Sequence, residues 1–250
     1  MKIYYFPRKA LITIGVLALF ITAASGIMVT RNSNGTVMTS NMADPIYQGN
    51  TGQKVVALTV NVDWGEEFIP AMLEQFKKHK VRVTFFVTGV WAQRNPELLK
   101  QMYAEGHSIQ NHGYKHINFN SLSAAEASRE IKKAEKIIYD IIGYKTTFFA
   151  PPSGEFNKEV ARGIGDINYK LVMWSVDTVD WKRPSPYIIV NRVMNKVHND
   201  AIILMHPTDP TVKALPDMLA KLTQEEYKMV TIDKILVSAS GKKNEDSRER

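Results

Sequence analysis

Cysteine is absent from the 250 residues. No disulfide can staple the fold and no thiolate can bind a metal, so any metal must rest on His, Asp or Glu. No predicted strand is followed by a glycine-rich phosphate loop, which excludes a nucleotide-binding α/β protein. Nor does any basic stripe alternate with aromatics. The formal charge of +7 is spread along the chain, which fits attraction to an anionic wall or membrane surface better than a nucleic-acid partner. Internal repeats are missing too. Long uncharged runs are scarce, and the conspicuous one, Leu11 to Val29, follows Lys2, Arg8 and Lys9.

That run holds about 19 residues, near the ~20 needed to cross a bilayer as a helix. The preceding basic residues keep the N-terminus cytoplasmic and export the rest. "TAASG" (Thr22 to Gly26) also offers small residues suited to signal-peptidase cleavage. Residues 1–29 are therefore a membrane anchor or a cleaved signal, and the apolar run continuing past the small residues favours the anchor. Residues 30–53, rich in Gly, Asn, Ser and Thr, read as a flexible linker. Residues 237–250 read as a charged tail. A domain spanning 54–236 remains.

Within it the patterns alternate. "KVVALTVNV" is a short β-branched strand, and "EEFIPAMLEQFKKHK" carries Ile69, Leu73 and Phe76 at helical spacing. "VRVTFFVTG" (strand), "PELLKQMYAEG" (helix) and "HSIQNHG" (strand) follow. "SAAEASREIKKAEKIIYDIIG" is a long helix, opened by Ser123 and Glu126 as a capping box. "TTFFAPP" and "KLVMWSVD" are strands, "SPYIIVNRVMNKV" is helical, and "AIILMH", "ALPDMLAKLTQEE" and "KMVTI" close as strand, helix and strand. Such alternation predicts βα units on a parallel sheet.

Polar residues gather where these strands end: Asn61 and Asp63, His112, Ala150-Pro-Pro, Asp177 and Asp180, and His206. Barrel folds build their sites at that end. In "NHGYKH" (111–116), His112 and His116 can meet one metal if the loop turns back on itself. A carboxylate must complete the set and leave positions open for water and substrate. Asp63 is the natural choice, because Thr59, Asn61 and Asp63 share one strand face while Val60 and Val62 take the other.

These residues resemble the NodB-type polysaccharide deacetylases, carbohydrate esterase family 4, over residues 54–236. That family's second motif, Asn-His-x-x-x-His, matches "NHGYKH". Its Arg-Pro-Pro-x-Gly is similar to "APPSG" (150–154), its Asp-Trp matches Asp180 and Trp181, and its Leu-x-His matches Leu204 and His206. The resemblance implies an α/β fold, a distorted (β/α) barrel short of eight full units, here preceded by an N-terminal transmembrane or signal helix. It implies removal of N-acetyl groups from a cell-wall or chitin-like glycan, with no nucleic-acid partner and protein partners undefined. The membrane-proximal arrangement is similar to that of wall-modifying deacetylases of sporulating bacteria.

The implied roles follow residue by residue. Asp63, His112 and His116 would hold a divalent metal, zinc foremost, with cobalt and nickel accepting the same ligands. His206, oriented by Asp180, would protonate the leaving amine. Trp181, Leu204, Pro151 and Pro152 would contact substrate. The first motif departs from the family's Thr-Phe-Asp-Asp-Gly. Counting from Thr59 puts Asn61 at the base position and, with one extra residue, Asp63 at the ligand. Counting back from Gly65 makes Asp63 the base and leaves Trp64 where a ligand belongs; the first reading is preferred, since indole cannot ligate. Ala150 replaces the Arg that pairs with the base, a matched loss that leaves no charge unpaired. Glu66, Glu67, Asp177 or Asp63 itself would have to take the water's proton. Two classes stay open: a metal-dependent N-deacetylase lacking its base, and a non-catalytic, metal-containing glycan-binding or scaffold protein at the cell surface.

Overall fold

A computed structural model describes residues 42–236. Its centre is β1 (Val55–Val62), buried at every position. Val56, Leu58, Val60 and Val62 join the outer core under the helices, while Val55 and Ala57 join an inner cluster with Phe86, Phe148 and Ile202. Two apolar faces on one strand are what a central parallel strand requires. β1 pairs in parallel with β2 (Thr84–Val87), β7 (Ala201–Met205) and β8 (Lys228–Val230). β3 (Ser108–Asn111), β4 (Phe148–Phe149), β5 (Lys170–Leu171) and β6 (Val176–Asp177) complete a sheet ordered β5-β4-β3-β2-β1-β7-β6, with β8 set beside β1. The parallel order follows the expected alternation, and the sheet curls into the half-barrel that the family resemblance implies.

Helices α1 (Ile69–Lys78), α3 (Pro96–Ala104), α4 (Ala124–Ile142), α6 (Pro186–Met194) and α7 (Asp209–Gln224) lie where periodicity placed them, with α7 starting several residues earlier. Ser123 and Glu126 form the capping box, and α4 stops at Gly143 with φ 68°, a left-handed turn that glycine adopts freely. Three others were not anticipated: α2 (Gly89–Arg94), α5 (Lys158–Asp166) and α8 (Ile232–Leu236). They are too short for a helical stripe to stand out, and α2 owes its start to the Thr88 hydroxyl, which accepts from Trp91 N at 3.2 Å.

Two expectations change. "KLVMWSVD" is not one strand, because β5 and β6 lie at opposite edges of the curled sheet. The seam between them is closed by residues assigned to the linker. Ile46 N donates to Leu171 O and Met173 N to Ile46 O, at 2.9 and 2.8 Å, and Gly49 N donates to Asp200 O at 2.8 Å. Gln48 bridges Ala201 in antiparallel fashion. Of the expected linker 30–53, the described part is thus a strap across the open barrel; its polar composition concealed a lone anchoring Ile46, packed on the inner cluster. The anchor or signal segment 1–29, the start of the linker and the tail 237–250 lie outside the described residues. Among the described residues no helix is long and apolar enough to cross a membrane.

Ile46 and Tyr47 are neighbours with opposite surroundings, since Tyr47 is 48% exposed. Ile46→Asp is expected to cost about 2–4 kcal/mol in urea denaturation, because it sets a carboxylate against the inner cluster. Tyr47→Asp should stay within about 0.5 kcal/mol. Equal losses would show that side-chain packing does not hold the strap.

Candidate functional site

Parallel strands deliver all their C-terminal ends to one side of the sheet, so residues distant in sequence meet there. The result is a cavity of about 390 Å³ whose walls include Asn61, His112, His116, Trp181, Leu204 and His206. Trp64, Trp174, Asp177 and Ser153 also line it.

One half is built around Asp180, which is fully buried. Its Oδ1 lies 2.8 Å from His206 Nδ1, and its Oδ2 accepts from His206 N at 2.7 Å and from the Thr211 hydroxyl at 2.6 Å. With Nδ1–H donating to the carboxylate, Nε2 is left as the free ring nitrogen. The turn carrying Asp180 is bent hard: Val179 and Arg183 both sit at φ 52°. Val179 is held there by its N–H donating to Asp177 Oδ1 at 2.7 Å, and Arg183 N donates to Asp180 O at 2.7 Å. This bend buries Asp180 and leaves Trp181 at the rim, with Lys182 Nζ 4.9 Å from its ring.

The other half holds the histidine pair, whose ring centroids are 5.4 Å apart. Gly113, at φ 83°, turns the loop between them without a helix. His112 Nδ1 lies 2.7 Å from Ala150 O, to which it donates, leaving Nε2 unencumbered. Burial pushes the His112 pKa down to about 3, helped by His116 and opposed by the Ala150 carbonyl, so the ring is neutral. His116 is exposed.

Asp63 does not join them. The β1–β2 register runs regularly through Asn61↔Phe86 and Val62↔Val87, with no bulge for an extra residue. Asn61 therefore faces the cavity, but Asp63 lies past the strand end, where strand alternation no longer holds. Its Oδ1 accepts from the Thr88 hydroxyl at 2.8 Å. The next position after Asn61 is Val62, sealed into the outer core. Among the described residues no three His, Asp or Glu side chains gather as metal ligands. Of the expected Asp63, His112 and His116 set for zinc, cobalt or nickel, His112 and His116 meet at the cavity, and Asp63 is not gathered with them among the described residues.

Other assignments shift as well. Pro151 and Pro152 are buried behind the wall, and Ser153 lines the cavity in their place. Glu66 and Glu67 form an exposed turn away from it, whereas Asp177 does line it. Ala150 packs in the inner cluster with Phe86 and Val172. Three features escaped the sequence. Trp64, weighed only as a failed ligand, lies parallel to His206, with ring centroids 6.2 Å apart and planes 5° apart. Trp174 sits between the two split strands, and Thr211 reaches Asp180 from the first turn of α7. No spacing rule connects these residues, because each arrives from a different element.

Asp180→Ala would strand three donors at once, and a loss on the order of 2–3 kcal/mol is expected in chemical denaturation. Thr211→Val removes a single bond and should cost about 1 kcal/mol. In ¹⁵N spectra the His206 ring should change from one tautomer to a mixture in Asp180→Ala. An unchanged ring signal would break the orienting role.

Comparison with known proteins agrees with this geometry. The family model for polysaccharide deacetylase matches residues 48–172. A solved structure of a CE4 family pseudoenzyme from Bacillus anthracis superposes with a TM-score of 0.75 at 41% identity, covering 77% of this chain and 69% of that one. The peptidoglycan-N-acetylglucosamine deacetylase of Bacillus cereus is 33% identical over 202 residues, 79% of this chain and 74% of the relative. The uncharacterized protein YlxY of Bacillus subtilis is 39% identical over 193 residues, and the match spans 77% of this chain but only 60% of that relative's length. With half-barrel, strand-end cavity and His206–Asp180 pair in common order with its motifs, the chain belongs to the polysaccharide deacetylase family.

Proposed function

We propose that this chain is a wall-glycan-binding member of the family whose deacetylase centre is disarmed, so that it holds N-acetylated glycan without cleaving it. The observation that carries the reading is Asn61. It occupies the base position inside the cavity while Ala150 removes that base's Arg partner and no carboxylate joins His112 and His116. A carboxylate only accepts hydrogen bonds, whereas the Asn amide both donates and accepts. It can therefore pair with an acetamide through N–H and C=O together. Trp64, Trp174 and Trp181 supply flat apolar faces for a sugar ring. The pseudoenzyme described for the Bacillus anthracis relative supports the same reading.

A slow hydrolase is the second reading, favoured by the intact His206–Asp180–Thr211 network. A missing general base typically costs 10²–10⁴-fold, roughly, rather than everything. On either reading the charge-flanked run Leu11 to Val29 sets the domain outside the cytoplasm.

Binding, acetate release and a topology assay test this. N-acetylated chito-oligosaccharide should bind without releasing acetate, whether or not zinc or cobalt is added. Its deacetylated amine form should bind about tenfold more weakly, the value of roughly one lost polar pairing. Asn61→Asp should reverse that preference, since a carboxylate favours an ammonium. Acetate above a protein-free control would establish the hydrolase instead. Protease added to intact protoplasts should digest residues 54–236; protection would place the domain inside.

A further inference from the structure

The end of the barrel opposite His206 carries a second concavity, of about 270 Å³, at the starts of β1 and β8. Lys80, Arg82, Lys228 and Lys234 line it, with the side chains of Thr51 and Thr231 between them. No carboxylate lines it, and none of the four cations is in an ion pair among the described residues. The nearby acids are engaged or line adjoining hollows. Asp200 accepts from the Thr51 hydroxyl and from Gly52 N. Glu105 shares an adjoining hollow with Lys80 and Arg82, and Asp233 shares another with Arg82 and Lys234, without forming an ion pair with any of them among the described residues.

Arg82 is exposed and runs beside Gly106, where an added Cβ would come within 2.3 Å of Nε. The glycine leaves room for the Arg82 side chain to pass, and no acceptor holds its guanidinium among the described residues. All four side chains are exposed, so water and salt screen their mutual repulsion, and an anion bound among them meets only positive partners in the lining. Several cationic donors lining one hollow suit a tetrahedral oxyanion, and a guanidinium can bind one bidentately. The hollow is about nine times the ~30 Å³ that a water occupies in the liquid, enough for a phosphate and its waters.

We propose that this hollow binds the phosphate groups of a water-soluble phosphodiester polymer. A lipid surface is disfavoured, because membrane docking needs exposed apolar side chains beside the cations. Among the described residues only Tyr103 of the large exposed hydrophobics comes near, in an adjoining hollow, and Met229 in the lining is half-buried. The site is separate from the glycan cavity, so the chain would bridge two kinds of polymer.

The test follows thermal unfolding of the full-length chain with inorganic phosphate and with linear polyphosphate, against chloride at matched ionic strength. A saturable rise in Tm with both phosphates, exceeding that in chloride, is expected. In Lys228→Ala/Lys234→Ala, where both side chains are exposed, the apparent affinity should fall by about tenfold or more, as removal of charge-assisted bonds implies. The Tm without phosphate should not move. Arg82→Ala provides a second variant with the same expected loss, provided its circular dichroism matches wild type. A shift reproduced by chloride, or one that persists unchanged in the lysine variant, overturns the proposal. So does sedimentation with phosphatidylglycerol vesicles that exceeds sedimentation with neutral phosphatidylcholine vesicles, is lost in the lysine variant, and is not competed away by polyphosphate.

Discussion

The register of β1 against its parallel neighbours governs the molecule. Thr59 pairs with Thr84 on one side and Leu204 on the other, and the ladders continue without a bulge. Because the side-chain period of a strand is two, that register alone sends Asn61 into the cavity and Val62 into the outer core. A slip of one residue would reverse both. The same parallel order brings His112 and His206 to one rim from β3 and β7, with β2 and β1 between them.

The two halves of that rim have fared differently. Around Asp180, three donors converge on one buried carboxylate, and losing any part leaves polar groups unpaired in the interior. Such a network resists piecemeal change. Around Asn61 no charge is buried: its amide lines the cavity, and Ala150 is absorbed by the inner apolar cluster.

The strap of residues 42–49 illustrates how a half-barrel is sealed. A curled sheet whose edge strands do not meet leaves carbonyls and amides facing a gap, and backbone groups there need partners. Ile46 supplies both a donor and an acceptor to that edge. The segment is therefore part of the fold, although its composition resembles a tether.

Hydrophobic period and helix caps were enough to determine the parallel α/β architecture, the position of α4 with its Ser123–Glu126 box, and the strand-end placement of Asn61, His112, Asp177 and His206. These are local properties, written in residues a few positions apart. What only the tertiary structure decided are the facts that depend on chain segments meeting. The division of "KLVMWSVD" between two edges comes from sheet curvature. The diversion of Asp63 to Thr88 comes from where β1 stops. The stacking of Trp64 beside His206, the reach of Thr211 to Asp180, and the gathering of Lys80, Arg82, Lys228 and Lys234 come from packing between distant elements. A sequence specifies side-chain chemistry and local period; which groups stand within hydrogen-bond distance across the barrel is set by the whole fold's geometry, and spacing along the chain does not encode it directly.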